Sequence, residues 1–384
     1  MIESLLTNTR IICLDAMTED ILDRMIFYLA GKDASVAVIA DPRPFPLRDK
    51  MLMKLTSLRD TVLLNKVRPN PETSDIMEMC RELEGRKVSV VIGIGGGSTM
   101  DSAKGVAAIL ANGGNLEDYL GNFPTLKIKN RDVKLILVPT TVGTGSEVTK
   151  VAVFTSASGR KYTLGSPMLQ ADVAVLVADY VKDIPSQLVA STGIDALSHA
   201  LEAIWNKNAV PETDAAASES AVLVLENIES AYRGDFNALK NMQKGACMAG
   251  IAFSMTGTAM VHAISFILSE EWHVPHGIAC AFTLEDAFDY NLKDARTRSV
   301  LAGIAARVIG EKGSEETLLH CFRDKIIALK KTLCLPSSFN DLDISMSRDS
   351  VSRLFAKSLD DPKMKNNIIP LDLQTLCDII YKKL

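Results

Sequence analysis

The chain has no Cys-x-x-Cys pair, and its seven cysteines are scattered and odd in number. That argues against a disulfide framework and for reduced thiols in a cytoplasmic protein. No apolar run approaches the roughly 20 uninterrupted residues that a membrane-spanning helix needs. The stretch Met1 to Thr7 lacks the basic start and long apolar core of a signal peptide. An excess of basic residues is missing too: the net charge is -5, which makes nucleic acid an unexpected partner. There is no internal repeat and no low-complexity linker. Histidine is scarce, with five in 384 residues, so each one carries weight. What remains is a chain of ordinary apolar content, long enough for two domains, whose expected partner is a small molecule.

Short β-branched runs alternate with helical patterns in the first half. Val36 to Ala40, Thr61 to Leu64, Val88 to Ile94 and Leu135 to Val138 read as buried strands, separated by helical stretches near Glu19 to Leu29, Glu72 to Leu83 and Met100 to Leu110. Val151 to Thr155, Lys161 to Leu164 and Val173 to Val177 add strands, the first two as a hairpin around Ser158-Gly159. Such alternation predicts an α/β layer with a largely parallel sheet. From about Pro185 the strand signals vanish, and long Ala-, Leu- and Met-rich helical patterns run nearly to the C-terminus. The expected architecture is an α/β domain over 1–183 followed by an all-helical domain over 184–384.

Ile92-Gly93-Ile94-Gly95-Gly96-Gly97-Ser98 runs from a strand through a glycine turn into a helix. Gly95, Gly96 and Gly97 let a ligand approach the backbone, and the helix behind Ser98 offers free N–H groups and a positive dipole end. A pyrophosphate suits such a turn. It is no P-loop, since no Gly-Lys-Ser/Thr follows, and Ser98 stands where the strict dinucleotide fingerprint has its third glycine. A second turn, Pro139 to Thr149, follows the strand ending at Val138 and carries the hydroxyls of Thr140, Thr141 and Thr149. Hydroxyls and glycines at the carboxyl end of a parallel strand are what a nucleotide crevice provides. Asp41 ends an earlier strand, where a carboxylate would bond a ribose 2′-OH and favour NAD, although the nearby Arg43 leaves NADP open.

The helical half holds the second cluster. In Gly193-Ile194-Asp195-Ala196-Leu197-Ser198-His199-Ala200-Leu201-Glu202, Asp195 and His199 are four apart and leave one helix face a turn apart. His262 sits in another apolar helical run, and His276 is pinned between Pro275 and Gly277. Asp195, His199, His262 and His276 are a ligand set suited to zinc or ferrous iron.

At these positions the sequence resembles the iron-containing (group III) alcohol dehydrogenase family. The matching pieces are Gly95-Gly96-Gly97-Ser98 with Asp101 and Lys104, the Thr140 to Thr149 turn, Asp195 with His199, His262, and Pro275-His276-Gly277. Pro69-Asn70-Pro71 looks like the family's cofactor-side loop, and Lys161 falls where the family has a cofactor-contacting lysine. The resemblance covers roughly 35 to 300. It implies an NAD(P)-dependent oxidoreductase, a dinucleotide-binding first domain, one iron or zinc ion on the four residues above, and a dimer or larger assembly. Three departures stand out. Phe266 replaces a histidine that many members carry four residues after the one matching His262, leaving His273 as the nearest candidate for proton relay. Val177-Ala178 stands in place of Asp-Pro, and Ser269-Glu270-Glu271-Trp272 in place of small residues. The run Ala279-Cys280-Ala281-Phe282-Thr283-Leu284 looks closer to branches that reduce phosphono- or sulfoacetaldehyde.

The expected reaction is reversible hydride transfer between NAD(H) and a short aldehyde or alcohol, with the metal as Lewis acid. A dehydroquinate-synthase-like lyase and a non-catalytic, metal-stapled relative remain as alternatives. Cys280 receives no role at this level.

Overall fold

A computed structural model describes residues 7–121, 123–310 and 313–384. Most of the segment with no signal-peptide pattern, 1–6, lies outside the described residues. The chain divides into two compact units, one of 7–141 with 145–183 and the other of 142–144 with 184–384.

The first unit is a parallel sheet between helices. In chain order it runs β1 (Arg10–Leu14), α1 (Glu19–Ala30), β2 (Ser35–Ala40), α2 (Pro46–Leu58), β3 (Thr61–Leu64), α3 (Thr73–Glu82), β4 (Val88–Gly95), α4 (Gly97–Asn112) and β5 (Lys134–Pro139). The hairpin β6 (Val151–Thr155) and β7 (Lys161–Gly165) follows, then β8 (Val173–Val177). The sheet order is β1-β8-β5-β4-β2-β3, and every pairing in it is parallel. Side chains alternate between two cores. Val36, Val38, Val90 and Ile92 pack with Leu22, Ile26, Met51 and Leu55 on one face. Ala37, Ile39, Val91 and Leu137 pack with Ile76, Met79, Met100 and Val106 on the other. Burial on both faces explains why these strands read as continuous apolar runs.

Two elements of this unit have no counterpart in the sequence reading. Strand β1 is a five-residue edge strand, too short to declare a period, and it forms by pairing with the remote β8. Helix α2 begins with Pro46 in its first turn, where the missing N–H costs nothing, but its apolar face is poorly marked.

The second unit is helical: α5 (Ser186–Ile204), α6 (Pro211–Tyr232), α7 (Phe236–Thr256), α8 (Met260–Trp272), α9 (His276–Ala281), α10 (Leu284–Asn291), α11 (Ala295–Ile309), α12 (Glu315–Thr332), α13 (Arg348–Phe355) and α14 (Leu373–Tyr381). Helix α5 is buried along most of its length, from Gly193 to Ile204. The tripeptide 142–144 groups with these helices because Gly143 presses on Thr192 of α5, where any Cβ would collide with the Thr192 carbonyl. Among the described residues no single helix is long and apolar enough to cross a membrane.

Candidate metal centre and dinucleotide turn

The register of the sheet sets the first site. Ala40 pairs with Ile94 and Gly95 with Pro139, so Asp41, the glycine turn and Thr140 follow neighbouring strands at one carboxyl edge. The N–H of Thr140 donates to the Gly95 carbonyl at 3.0 Å and ties the two turns together. Helix α4 starts at Gly97, so its first N–H groups have no intrahelical partner. A Cβ at Gly95 would collide with the side chain of Thr99, so that glycine serves the packing of helix on strand as well as the turn. Gly96 has only the Thr141 methyl nearby, at 3.3 Å.

Around this turn the remaining residues divide by what they touch. Asn70 has a positive φ of 54°, and its N–H donates to Ser98 Oγ at 3.3 Å. Asp101 accepts from Ser146 Oγ at 2.8 Å and from the Val153 N–H at 2.9 Å. Lys104 is fully buried and donates to the Ser146 carbonyl and hydroxyl, Thr149 Oγ1 and the Val151 carbonyl at 2.7 to 2.9 Å. Burial pushes its pKa down to about 8 against the pull of Asp101 and Glu147. Asp101, Lys104 and Thr149 thus brace the 146–153 segment. The Asp41 carboxylate accepts from the Arg43 N–H, Nε and Nη2, which holds its pKa below the ordinary value against partial burial. Lys161 opens β7 opposite Thr155.

The second cluster lies wholly in the helical unit. On α5, Asp195, His199 and Glu202 share a face at helical spacing, and all three are buried. His262 lies in the first turn of α8. Its Nε2 is 3.5 Å from Asp195 Oδ1, while His276 Nε2 on α9 is 3.7 Å and His199 Nδ1 3.9 Å from the same oxygen. The His199 ring is stacked between Phe253 and His262, with centroids 4.2 and 4.4 Å away, and makes a main-chain hydrogen bond with Gly143. Burial pushes His199 down to about 3, so its ring is neutral and able to ligate at ordinary pH. Burial would raise the Asp195 carboxyl, but the three imidazoles hold it well below the usual carboxylate range.

Asp195 Oδ1, His199 Nδ1 and His262 Nε2 are buried atoms without a hydrogen-bond partner. Three buried polar atoms left without partners would be costly in a finished interior, although His199 Nδ1, 3.9 Å from Asp195 Oδ1, is not one of the four donor atoms that lie within 4.8 Å of one another. A divalent cation fits them, and the nitrogen and oxygen donors suit iron or zinc. His276 is the most open of the four, with its side chain 36 % exposed, which leaves an approach for a further ligand.

Three residues of this centre have no reading in the sequence. Glu202 bonds His262 Nδ1 at 2.5 Å. Cys280 brings Sγ to 3.8 Å from His276 Nε2, and four donor atoms (one each from Asp195, His262, His276 and Cys280) lie within 4.8 Å of one another. Lys363 sets its ammonium 3.8 Å over the ring of Phe266, which itself lies 6.2 Å from the His276 ring. Glu202 and Cys280 had a legible signal, since each repeats the helical spacing of an adjacent ligand. Lys363 had none, being about a hundred residues from the site in sequence. His273, by contrast, stands outside the cluster: it is exposed and closes α8 in the left-handed conformation, with φ 55°.

The model of iron-containing alcohol dehydrogenases matches residues 16–178, and that of the C-terminal part of Fe-containing alcohol dehydrogenases matches 189–384. The chain belongs to the iron-containing alcohol dehydrogenase family. Within this family it is 36% identical to the probable alcohol dehydrogenase EutG of Escherichia coli (strain K12) over 240 residues, 62% of this chain and 60% of that protein. Its fold matches that of a 1,3-propanediol oxidoreductase with a TM-score of 0.89 at 25% identity, covering 98% of both chains. It also matches the sulfoacetaldehyde reductase from Bifidobacterium kashiwanohense, solved in complex with NAD+, with a TM-score of 0.86 at 26% identity, covering 98% of this chain and 97% of that one. The alcohol dehydrogenase fold therefore extends over both units, the parallel sheet and the helices.

Proposed function

We propose that this chain catalyses reversible, NAD(H)-linked interconversion of a short-chain aldehyde and its alcohol at a divalent metal. The observation that carries the reading is the convergence of His262 Nε2 and His276 Nε2, at 3.5 and 3.7 Å, on the buried, unpartnered Asp195 Oδ1. Asp195, His199, His262 and His276 are the proposed metal ligands. Gly95, Gly96, Gly97 and Ser98 are proposed to take the pyrophosphate, and Asp41 a ribose hydroxyl. Asn70, Asp101, Thr140, Thr141, Thr149 and Lys161 are assigned to the same dinucleotide site. The glycine turn carries this assignment; Asp101 and Thr149 act in it through the segment they brace.

When bound, the metal supplies Lewis acidity toward the substrate oxygen and the nicotinamide ring carries the hydride. The chain itself supplies position and electrostatics. His199, neutral through burial, needs no proton loss before it ligates. Glu202 holds His262 Nδ1, which aims Nε2 at Asp195. The partly open side of His276 leaves room for the substrate oxygen. His273, exposed to solvent, is the proposed proton relay; His273→Gln lowering turnover at unchanged metal content is its test.

A narrower substrate class, an aldehyde with a sulfonate or phosphonate group, is favoured by the Lys363 ammonium beyond Phe266. Its own carboxylate partner, Asp361, is distant at 3.4 Å, whereas buried Lys330 and Lys383 are held by acidic oxygens at 2.7 to 2.9 Å. The relatives include a sulfoacetaldehyde reductase of Bilophila wadsworthia (strain 3_1_6), 34% identical over 224 residues.

Elemental analysis of the purified protein, joined to an NADH oxidation screen over neutral and anionic aldehydes, tests the proposal. Bound iron or zinc with net NADH consumption supports it and separates it from a lyase that uses NAD only transiently. Stoichiometric metal with no NADH oxidation by any aldehyde would favour a stapled, non-catalytic relative. In the cell we infer a homo-oligomer in the cytoplasm, the latter from the scattered, odd-numbered cysteines of the sequence. Sedimentation at enzyme-assay concentration checks the first.

A further inference from the structure

We propose that Cys280 is a ligand of the bound cation, so that this chain adds a thiolate to the Asp and His donors. The inference rests on the metal-binding part of the proposed function and deepens it.

The geometry is that of a donor, not of a packed thiol. His276 begins α9 and Cys280 follows one turn later on the same face, repeating the i, i+4 arrangement of Asp195 and His199 on α5. Cys280 is fully buried, yet its Sγ lies 3.8 Å from His276 Nε2 and within 4.8 Å of the donor atoms of His262 and Asp195. The chain packs this sulfur against two imidazoles beside a buried carboxylate, where a small hydrophobe would have no reason to be. Two ligands of one zinc ion, bound at about 2.0 to 2.3 Å, can be no more than roughly 4.5 Å apart. The Asp195–His262, Asp195–His276 and His276–Cys280 separations of 3.5, 3.7 and 3.8 Å all meet that limit. The independent sign that a cation belongs there is the pair of unpartnered atoms, Asp195 Oδ1 and His262 Nε2, both on side chains at most 4 % exposed.

On binding, the S–H bond of Cys280 breaks, a sulfur–metal bond forms, and one proton leaves to solvent; no electron is transferred. The consequence is chemical selectivity. A thiolate is a softer donor than carboxylate or imidazole, so it shifts the site from iron toward zinc.

The experiment is cobalt loading of the full chain, followed in the near ultraviolet, alongside X-ray absorption of the zinc form. A thiolate ligand gives a sulfur-to-cobalt charge-transfer band and a zinc–sulfur shell at about 2.3 Å. Cys280→Ser should lose the band while still binding one cobalt, and should weaken zinc by at least about tenfold. One bound cobalt with no charge-transfer band, or a zinc shell of only nitrogen and oxygen, overturns the proposal while leaving the metal centre intact. The absorption measurement uses the unaltered chain, so it decides the matter even if the variant fails to fold. A chain that takes up neither metal would overturn the metal centre itself.

Discussion

Glu202 both caps helix α8 and aims His262. Its carboxylate is fully buried, accepts from the Val261 N–H at 2.6 Å and the His262 N–H at 3.3 Å, and bonds the His262 ring at Nδ1. The two N–H groups belong to the first turn of α8, where an intrahelical partner is missing and negative charge is favoured. One side chain on α5 therefore fixes where α8 begins and which nitrogen of His262 faces Asp195.

Replacing Glu202 by Gln keeps an acceptor for the Val261 N–H but removes the charge behind the imidazole. Metal affinity should fall about 10- to 100-fold with the helical content preserved, as competition against a chelator would show. Affinity equal to that of the unaltered chain would reduce Glu202 to a helix cap.

Helix α9 reaches α5 only because Gly277 lies against the Ser191 carbonyl, with no room for a Cβ. Gly277→Ala should cost about 2–3 kcal/mol in urea unfolding and lower metal occupancy, because His276 is the preceding residue. Gly303 in α11 has open space around its Cβ position. Gly303→Ala should be neutral or stabilising by up to about 1 kcal/mol, which controls for simple helix propensity.

The glycine turn separates packing from binding. Gly96→Ala meets only the Thr141 methyl at 3.3 Å and should change stability little. It places a methyl where the pyrophosphate is proposed to lie, so NAD affinity by calorimetry should drop about tenfold or more. Gly95→Ala collides with Thr99 and should damage both. Equal NAD binding by the Gly96 variant would move the dinucleotide away from this turn.

His199 makes the metal-free protein sensitive to acid. Its folded pKa is pushed down to about 3, against an unfolded value of about 6.5. Between those values the unfolded chain binds a proton that the folded ring refuses, so this contribution to stability is lost as pH falls through the window, at up to about 1.4 kcal/mol per unit. Above about pH 6.5 it is constant. Urea unfolding across that window should show the apo-protein losing stability relative to His199→Phe as the pH falls. A pH-independent difference would contradict it.

How much of this was legible follows from the range of each interaction. The strands β2, β4, β5 and β8 match their apolar runs to within a residue at each end, since burial on both sheet faces writes itself into consecutive residues. Strand β1 escapes because its partner, β8, is about 160 residues away. Asp195 with His199 is visible as spacing on one helix. The same spacing in His276 and Cys280 needs the fold to show that this face of α9 turns toward Asp195. Lys363 and Phe266 carry no shared pattern, as their contact joins distant segments.

By itself the sequence determined the alternation of strand and helix, the change of texture near Pro185, the glycine turn and the identity of the scarce histidines. Periodicity and backbone chemistry are local, so they survive in the order of residues. Only the tertiary structure decided which atoms are left buried without partners, which carboxylate orients His262, and that a sulfur stands beside two imidazoles. Those are matters of distance between segments far apart in the chain, and distance is set by how the helices pack.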